Sequence, residues 1–218
     1  MQEALKATTI IHDKDGAEAG TLSGQKGTYV ELDAISDNLE NAVIATEDRS
    51  FYKNSGINYQ RTILAVLTLG RSGGGSTITQ QLAKNAFLTQ EQTISRKARE
   101  FFLALEINKK YSKQEILTMY LNNAYFGNGV WGVEDASQKY FGISASDLTI
   151  EQSAVLAGML KGPEIYNPYY SLENAINRRD TVLQNMVNAG YIDQATADAG
   201  FQVDLASQLA DTYTGKQD

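Results

Sequence analysis

Carboxylates are the side chains in this sequence that could carry acid-base chemistry. Among the 218 residues there is one histidine, His12, and no cysteine, which excludes a histidine-based catalytic triad and thiolate chemistry. Two glutamates are candidates. Glu47 stands beside Asp48 at the expected end of a helix, where acids oppose the helix dipole and require a local reason. Glu100 lies four residues after Arg96, within a cationic stretch.

That cationic stretch belongs to an otherwise acidic chain. The formal net charge is −7, which argues against general nucleic-acid binding because a phosphate backbone requires a basic face. Between residues 84 and 113, however, seven basic residues stand against three acidic ones. The basic residues are Lys84, Arg96, Lys97, Arg99, Lys109, Lys110 and Lys113. A cationic patch on an acidic protein indicates a localised anionic ligand.

A glycine-rich segment, residues 70–76, runs into a helix start marked by Thr77 and Gln80. Glycines let a backbone approach a ligand closely, and free amides at a helix start favour an anion. For a glycine run alone, a flexible hinge is the simpler interpretation. The segment is not a P-loop, because the Gly-Lys-Ser/Thr ending is absent.

Helices are predicted for most of the chain, after short strands within the first 32 residues. Asp37 begins a helix pattern that leads to Glu47. Three capping boxes predict further helix starts: Thr77 with Gln80, Ser112 with Glu115, and Thr149 with Gln152. A long helix is expected from about Thr93 to Lys110. Its buried stripe is expected to contain Ile94, Ala98, Phe101, Phe102 and Leu105, with Arg96, Lys97 and Glu100 on the opposite face.

Other segments are predicted from their turn residues. Asn58 is expected to cap a helix that ends at Gly70, and residues 161–168, which hold both prolines, predict an extended loop. The last helix is expected to begin near Ser171, and the chain to fray after Asp193. Every apolar run is far shorter than the roughly 18 residues of a membrane span, so the sequence predicts no membrane-spanning segment or signal peptide.

Three blocks in this order resemble the peptidoglycan glycosyltransferase domain of class A penicillin-binding proteins. They are Glu47-Asp48-x-x-Phe51-x-x-x-x-Gly56, residues 74–85 (GGSTITQQLAKN), and Arg96-Lys97-x-x-Glu100. The resemblance continues through residues 112–122, 140–142, 157–162, 166–168 and 178–179, and covers about residues 8 to 195. The second block is the most specific. One departure is Asn54, which stands where the family usually carries histidine.

The resemblance implies a mainly α, lysozyme-like fold with a larger lobe, a smaller membrane-proximal lobe and a minor N-terminal β element. The implied divisions are a β segment at 1–32, the glycosyltransferase domain at 33–195 with its small lobe at about 57–75, and a tail or linker at 196–218. The implied location is the extracytoplasmic face of the bacterial cell membrane. Fusion to a transmembrane anchor and a transpeptidase domain is also implied.

The implied reaction is polymerisation of lipid II into β-1,4 glycan, with inversion and release of undecaprenyl pyrophosphate. The partners would be lipid II, the growing glycan strand and the membrane surface, without nucleic acid. Glu47 matches the family's base, and inversion needs no enzyme nucleophile. Glu100 matches a second carboxylate that could order the cations or hold Mg²⁺ or Mn²⁺. The sequence itself requires no cofactor.

The remaining implied site residues are ligands of the substrate. Three cations suit a leaving pyrophosphate: Lys84, Arg96 and Lys97. Five residues match family positions that line the same cleft: Ser76, Thr77, Gln81, Asn85 and Tyr125. Two alternatives remain open, a lysozyme-like glycan hydrolase and a non-catalytic cell-wall scaffolding module. The apolar run Ile63–Leu69 is either a buried helix or a membrane-binding surface.

Overall fold

A computed structural model describes residues 9–12, 18–22, 27–58, 76–87 and 94–210. The chain forms two compact units, unit 1 with residues 1–26 and 50–123, and unit 2 with residues 27–49 and 124–218. The elements in chain order are β1 Thr9–His12, β2 Glu18–Leu22, α1 Asp37–Glu47, α2 Ile78–Phe87, α3 Ile94–Lys110, α4 Lys113–Asn123, α5 Val133–Phe141, α6 Ile150–Met159, α7 Pro163–Tyr166, α8 Leu172–Ala189, α9 Gln194–Phe201 and α10 Leu205–Gln208. The described residues are mainly helical with one β element near the N-terminus, as the sequence predicts.

In its described residues, unit 1 combines the strand pair with the helices α2, α3 and α4. Strands β1 and β2 are antiparallel, with Ile10 opposite Thr21. Helix α2 packs against α3, α4 and β2. The loop that contains Gly56 also packs closely against α3, because Gly56 carries no side chain there. A Cβ on Gly56 would lie 2.6 Å from the Ala104 carbonyl oxygen, and its φ of +92° is itself unfavourable for other residues.

All three predicted capping boxes are present. In each, the side chains of the first and fourth residues hydrogen-bond to each other's backbone N–H groups, so two otherwise unpaired donors are satisfied. The pairs are Thr77 with Gln80, Ser112 with Glu115, and Thr149 with Gln152. They fix the starts of α2, α4 and α6.

The buried face predicted for α3 is wrong. Phe102 is 65% exposed and Ala98 is exposed, whereas Glu100, Ala104 and Ile107 are buried. Residues 100, 104 and 107 share one face because they are separated by four and three positions. The expected stripe is therefore wrong because a charged residue, Glu100, lies on the buried face, whereas Lys97 is exposed.

Unit 2 is built around α6, where every residue from Gln152 to Met159 is buried. Helices α1 and α8 pack against α6 and against each other. Helix α1 begins at Asp37 as predicted, after the N-cap Ser36, whose side chain accepts a hydrogen bond from the Asn38 N–H. Its apolar residues from Ala42 to Ala45 are all buried, so the end of α1 is held against this core.

The segment around the two prolines differs from the prediction. Residues 163–166 form one turn of helix, α7, rather than an extended loop, and Pro163 lies in its first turn. Proline is favourable there because the first helical N–H groups have no intrahelical partner. Helix α8 begins at Leu172, where Ser171 is the N-cap. The predicted helix start is confirmed, but α8 is not the last helix, because α9 and α10 follow it.

Fraying after Asp193 is also wrong for the described residues. Asp193 caps α9, and α10 follows it. Buried Arg179 of α8 donates hydrogen bonds to the carbonyls of Phe201 and Val203, at 3.1 and 2.7 Å. Residues 194–210 are polar in composition, but the hydrogen bonds from Arg179 hold this segment against α8. The predicted domain boundaries at 32 and 195 stay a prediction.

Several expectations fall outside the described residues. They are the helix from Asn58 to Gly70 beyond its first residue, most of the small lobe at 57–75, the glycine-rich segment before Ser76, and the surface Ile63–Leu69. In the part of the chain that is described, no helix is both long and apolar enough to cross a membrane.

Candidate active site

Glu47 is the last residue of α1, and its side chain is 13% exposed. Two arginines lie at this helix end. Arg178 Nη2 is 4.0 Å from Glu47 Oε1, and Arg49 Nε donates a hydrogen bond to the Ala45 carbonyl at 3.0 Å. Cations at a helix C-terminus offset the unfavourable placement of acids there. These contacts supply the local reason that Glu47 and Asp48 require.

Arg178 is held in place from three directions. Its Nε donates to the Gly158 carbonyl of α6 at 3.4 Å, and its guanidinium lies 5.5 Å from the centre of the Tyr166 ring. A Cβ on Gly158 would lie 2.7 Å from Arg178 Cγ, so glycine makes room for the arginine stem. The guanidinium is therefore held at a defined place, 4.0 Å from the Glu47 carboxylate.

In unit 1, three predicted site residues, Ser76, Lys97 and Glu100, contact one another beside the start of α2. Lys97 Nζ donates to Ser76 Oγ at 2.8 Å and forms a short ion pair with Glu100 Oε1. The Glu100 side chain is 2% exposed, whereas that of Lys97 is 53% exposed. Glu100 thus fixes a cation whose side chain remains partly in solvent.

The other predicted residues on α2 have different surroundings. Thr77 is buried and donates from Oγ1 to the Gly56 carbonyl at 2.6 Å, so its hydroxyl is directed inward. Gln81 Oε1 accepts from Tyr120 Oη–H at 3.0 Å. Lys84 and Asn85 are exposed. Of the α2 side chains that the structure describes, these two are the exposed ones, and they lie close to the helix end.

Tyr125 belongs to unit 2 and is held by a tight turn. Its hydroxyl accepts from the Gly129 N–H and donates to Glu164 Oε1, both at 3.3 Å. The Trp131 ring lies 4.9 Å away, centre to centre. Asn128, within the turn, has a φ of +53°. Hydrogen bonds and ring packing together restrict the orientation of Tyr125.

The predicted site residues divide between the units. Glu47 and Tyr125 lie in unit 2, and the other eight lie in unit 1. Those eight are Ser76, Thr77, Gln81, Lys84, Asn85, Arg96, Lys97 and Glu100. Arg96 is half-buried on α3.

Comparison with known proteins identifies the family. Residues 15–187 match the transglycosylase family, which is most of the 218-residue chain. The chain belongs to the transglycosylase family. It is a peptidoglycan glycosyltransferase domain of the class A penicillin-binding protein type, as its similarity to several penicillin-binding proteins shows.

Relatives of this transglycosylase domain are longer proteins. Penicillin-binding protein 2a of Streptococcus pneumoniae strain D39 is 71% identical over 99% of this chain and 30% of its own length. Penicillin-binding protein 1A of Aquifex aeolicus is 44% identical over 84% of this chain and 26% of its own length. The chain therefore spans less than a third of the length of these relatives.

The fold agrees with a crystal structure of penicillin-binding protein 1A from Haemophilus influenzae. The match has a TM-score of 0.51 and 25% identity, and covers 91% of this chain and 20% of that one. The similarity supports the mainly helical fold class predicted from the sequence.

Among the described residues, Glu100 of the transglycosylase domain is not part of a divalent-cation site built from protein ligands alone. Its carboxylate is already paired with the Lys97 ammonium, and divalent cations of this kind are held by several oxygen ligands. Among the described residues, no three His, Cys, Asp or Glu side chains are grouped as a metal site would require. The arrangement instead favours the other role considered for Glu100, ordering of the cations.

Arg178 lies beside Glu47 in the structure, and sequence reasoning did not assign it to the candidate site. The Arg178-Arg179 pair forms part of the family resemblance, but its sequence gives no sign of which arginine approaches Glu47. The sequence offered two signals: the unfavourable acids at the end of α1, and an arginine on the amphipathic helix α8. Neither signal names the partner, because the contact is long-range.

Glu40 lies two turns before Glu47 on α1. Burial, followed by the charge of Asp37, raises the pKa of Glu40 from 4.5 to about 7. The folded state therefore holds this proton more tightly than the unfolded state. The resulting stability is fully present below about pH 4.5 and is lost as the pH rises through 7.

We expect Glu40→Gln to remove this pH dependence. Between pH 5 and pH 8 the free energy of unfolding of the wild type should fall relative to that of the variant, because wild-type Glu40 loses its proton over this range. The expected fall is only roughly 1 kcal/mol, because Glu40 is half-buried and solvent screens its charge. Urea unfolding at both pH values measures the difference. Exposed Glu173→Gln is the control. An equal wild-type-to-variant difference at the two pH values would contradict the assignment.

Proposed function

We propose that this domain polymerises lipid II into β-1,4-linked glycan. The 4-hydroxyl of the acceptor loses its proton to Glu47 while its oxygen attacks the anomeric carbon of the donor. The bond from that carbon to pyrophosphate breaks, and undecaprenyl pyrophosphate leaves with the bonding electrons. One displacement converts an α-linked donor into a β-linked product, so one base is sufficient and no enzyme nucleophile is needed.

The observation that carries this proposal is the position of Glu47. It is a largely buried carboxylate at the end of a core helix, with the Arg178 guanidinium 4.0 Å away, in a chain that matches the transglycosylase family from 15 to 187. A general base must be held where it can reach one proton, and fixed orientation contributes strongly to rate. Arg178 supplies that orientation.

The leaving pyrophosphate would be bound by cations of unit 1. Lys97 is fixed by Glu100 and Ser76, and Lys84 is exposed on α2. Fixed cations stabilise developing negative charge without reorganising during the reaction. With Arg96 they form the proposed pyrophosphate ligands. The proposed hydrogen-bonding residues are Ser76, Thr77, Gln81, Asn85 and Tyr125, of which Thr77 acts through the start of α2.

The setting of the reaction is proposed from the same family. Because the chain spans 30% of penicillin-binding protein 2a, we propose that it works within a longer protein that supplies a membrane anchor and a transpeptidase domain. The proposed location is the extracytoplasmic face of the bacterial membrane, where lipid II and the growing strand are the partners. Residues 33–195 would form the catalytic domain.

Two substrates distinguish synthesis from hydrolysis. Purified protein in detergent is incubated with labelled lipid II in one reaction and with preformed glycan strands in another. We expect polymer from lipid II and no shortening of the preformed strands. Shortened strands without polymer would identify a hydrolase, and absence of either reaction, alongside an active reference polymerase, would overturn the proposal in favour of a scaffolding module.

A further inference from the structure

Asn54 organises the loop that follows α1. Its Oδ1 accepts a hydrogen bond from the Gly56 N–H at 2.9 Å. Its Nδ2 donates to Ser50 Oγ at 3.3 Å, and its backbone N–H donates to the Ser50 carbonyl at 2.8 Å. An amide side chain can accept and donate at once, so Asn54 closes the loop on both sides.

A lysine from another helix meets the same oxygen. Lys113, the first residue of α4, donates from Nζ to Asn54 Oδ1 at 3.0 Å. The Lys113 ammonium also lies 4.8 Å from the centre of the Phe51 ring, whose side chain is fully buried. A hydrogen bond and a cation–π contact thus hold Lys113 against this loop.

The loop continues to the start of α2. Gly56 donates to Asn54, and its carbonyl accepts from Thr77 Oγ1 at 2.6 Å. Thr77 is the residue whose capping box with Gln80 begins α2. Three hydrogen bonds therefore connect α4 to the first turn of α2, through Lys113, Asn54, Gly56 and Thr77, and each residue in the connection belongs to unit 1.

We propose that Asn54 and Lys113 are positioning residues that set the start of α2 for catalysis. The inference rests on the proposed function, because α2 carries Gln81 and Lys84 and follows directly on Ser76. Neither Asn54 nor Lys113 touches the reacting atoms in this account. They act through Gly56 and Thr77, and a small displacement of groups that bind a leaving group lowers the rate strongly.

Replacing either Lys113 or Asn54, the first two residues of the connection, tests the proposal. Lys113→Met and Asn54→Leu should each lower kcat/KM for polymerisation about tenfold or more. Asn54→Asp should keep activity within about threefold, because a carboxylate oxygen still accepts from Gly56 and Lys113. Lys109→Met, an exposed lysine at the end of α3, is the matched control. Wild-type activity in both Lys113→Met and Asn54→Leu would overturn the proposal.

A titratable residue at position 54 distinguishes a role in positioning α2 from a role in folding alone. Neutral histidine in Asn54→His can accept from the Gly56 N–H, whereas protonated histidine has only donors and is repelled by Lys113. Among the described residues, the Lys113 ammonium is a charged group that contacts this position, and the other hydrogen-bond partners Ser50 and Gly56 are neutral. We expect the ratio of variant activity to wild-type activity to decrease when the pH is lowered past about 6.5, where histidine becomes protonated. A ratio independent of pH, with folding intact, would contradict the role.

A readout without turnover separates this inference from the proposed function. In ¹⁵N-labelled protein, Lys113→Met should shift the amide resonances of Thr77 and Gln80, and Lys109→Met should not. If the wild type makes no polymer while these shifts occur, the proposed function fails and the connection to α2 stands. If Lys113→Met leaves both amides unchanged, the connection itself is refuted whatever the activity.

Discussion

Glu47→Gln should lower kcat for glycan polymerisation by about 10²- to 10⁴-fold, the usual contribution of a positioned general base. Glutamine keeps the size of the side chain and its hydrogen-bonding shape but cannot take a proton. KM should change little, because the substrate ligands proposed in unit 1 are untouched. Initial rates with labelled lipid II under matched detergent conditions measure both constants.

Two variants on α1 control for this result. Glu40→Gln makes the same chemical change two turns earlier and should leave kcat unchanged. Glu47→Asp keeps a carboxylate but shortens its reach by one methylene, and should fall between wild type and Glu47→Gln because misplacement by about 1 Å costs up to about 10²-fold. A Glu47→Gln variant that polymerises at the wild-type rate would eliminate Glu47 as the base.

Arg179→Met should lower the free energy of unfolding by about 3–5 kcal/mol, the cost of breaking a buried ionic group's network. Arg179 is 1% exposed and donates to the carbonyls of Phe201 and Val203 and to Asp180. Methionine fills a similar volume but leaves these acceptors without their donors. Urea unfolding gives the free energy, and hydrogen exchange in residues 194–205 shows where it is lost.

Arg179→Lys and Arg99→Met control for this effect. A lysine ammonium cannot reproduce the planar fork of arginine, so Arg179→Lys should recover only part of the loss. Arg99 is exposed on α3, and Arg99→Met should stay within about 0.5 kcal/mol of wild type. A loss below about 1 kcal/mol for Arg179→Met would show that α9 and α10 are held by other contacts.

Helix starts could be predicted from the sequence because their causes are local. A capping box joins side chains three residues apart, and the boxes that begin α2, α4 and α6 are all present. Ser36 and Ser171 likewise cap the helices that follow them. Such pairs depend on few residues and on no tertiary context.

The orientation of α3 could not be predicted in this way. Periodicity places charged residues on the solvent side, and Glu100 is buried because Lys97 and Ser76 satisfy its carboxylate. The close approach of Gly56 to Ala104 selects the same face. Tertiary contacts thus determine which of two apolar faces of α3 is buried, and the sequence pattern alone does not predict this choice. Phe102 lies on the face that remains exposed.

The sequence predicts a set of site residues but not their arrangement. The order of the three blocks pointed to Glu47 and Glu100, and the Lys97–Glu100 pair is within reach of a helix argument because the residues are three apart. The contact of Arg178 with Glu47 and that of Lys113 with Asn54 join distant parts of the sequence. Such contacts require the folded chain.

The proposed reaction is a single inverting displacement from a lipid pyrophosphate, and its two products, the glycan and undecaprenyl pyrophosphate, can be analysed together in one experiment. Wild-type protein is incubated with lipid II, the new linkages are assigned by NMR, and released undecaprenyl pyrophosphate is counted against them. We predict β-1,4 linkages with one undecaprenyl pyrophosphate released per linkage. An α-linked product would contradict the proposed inverting transfer. Release of pyrophosphate together with free disaccharide, in place of polymer, would contradict it as well.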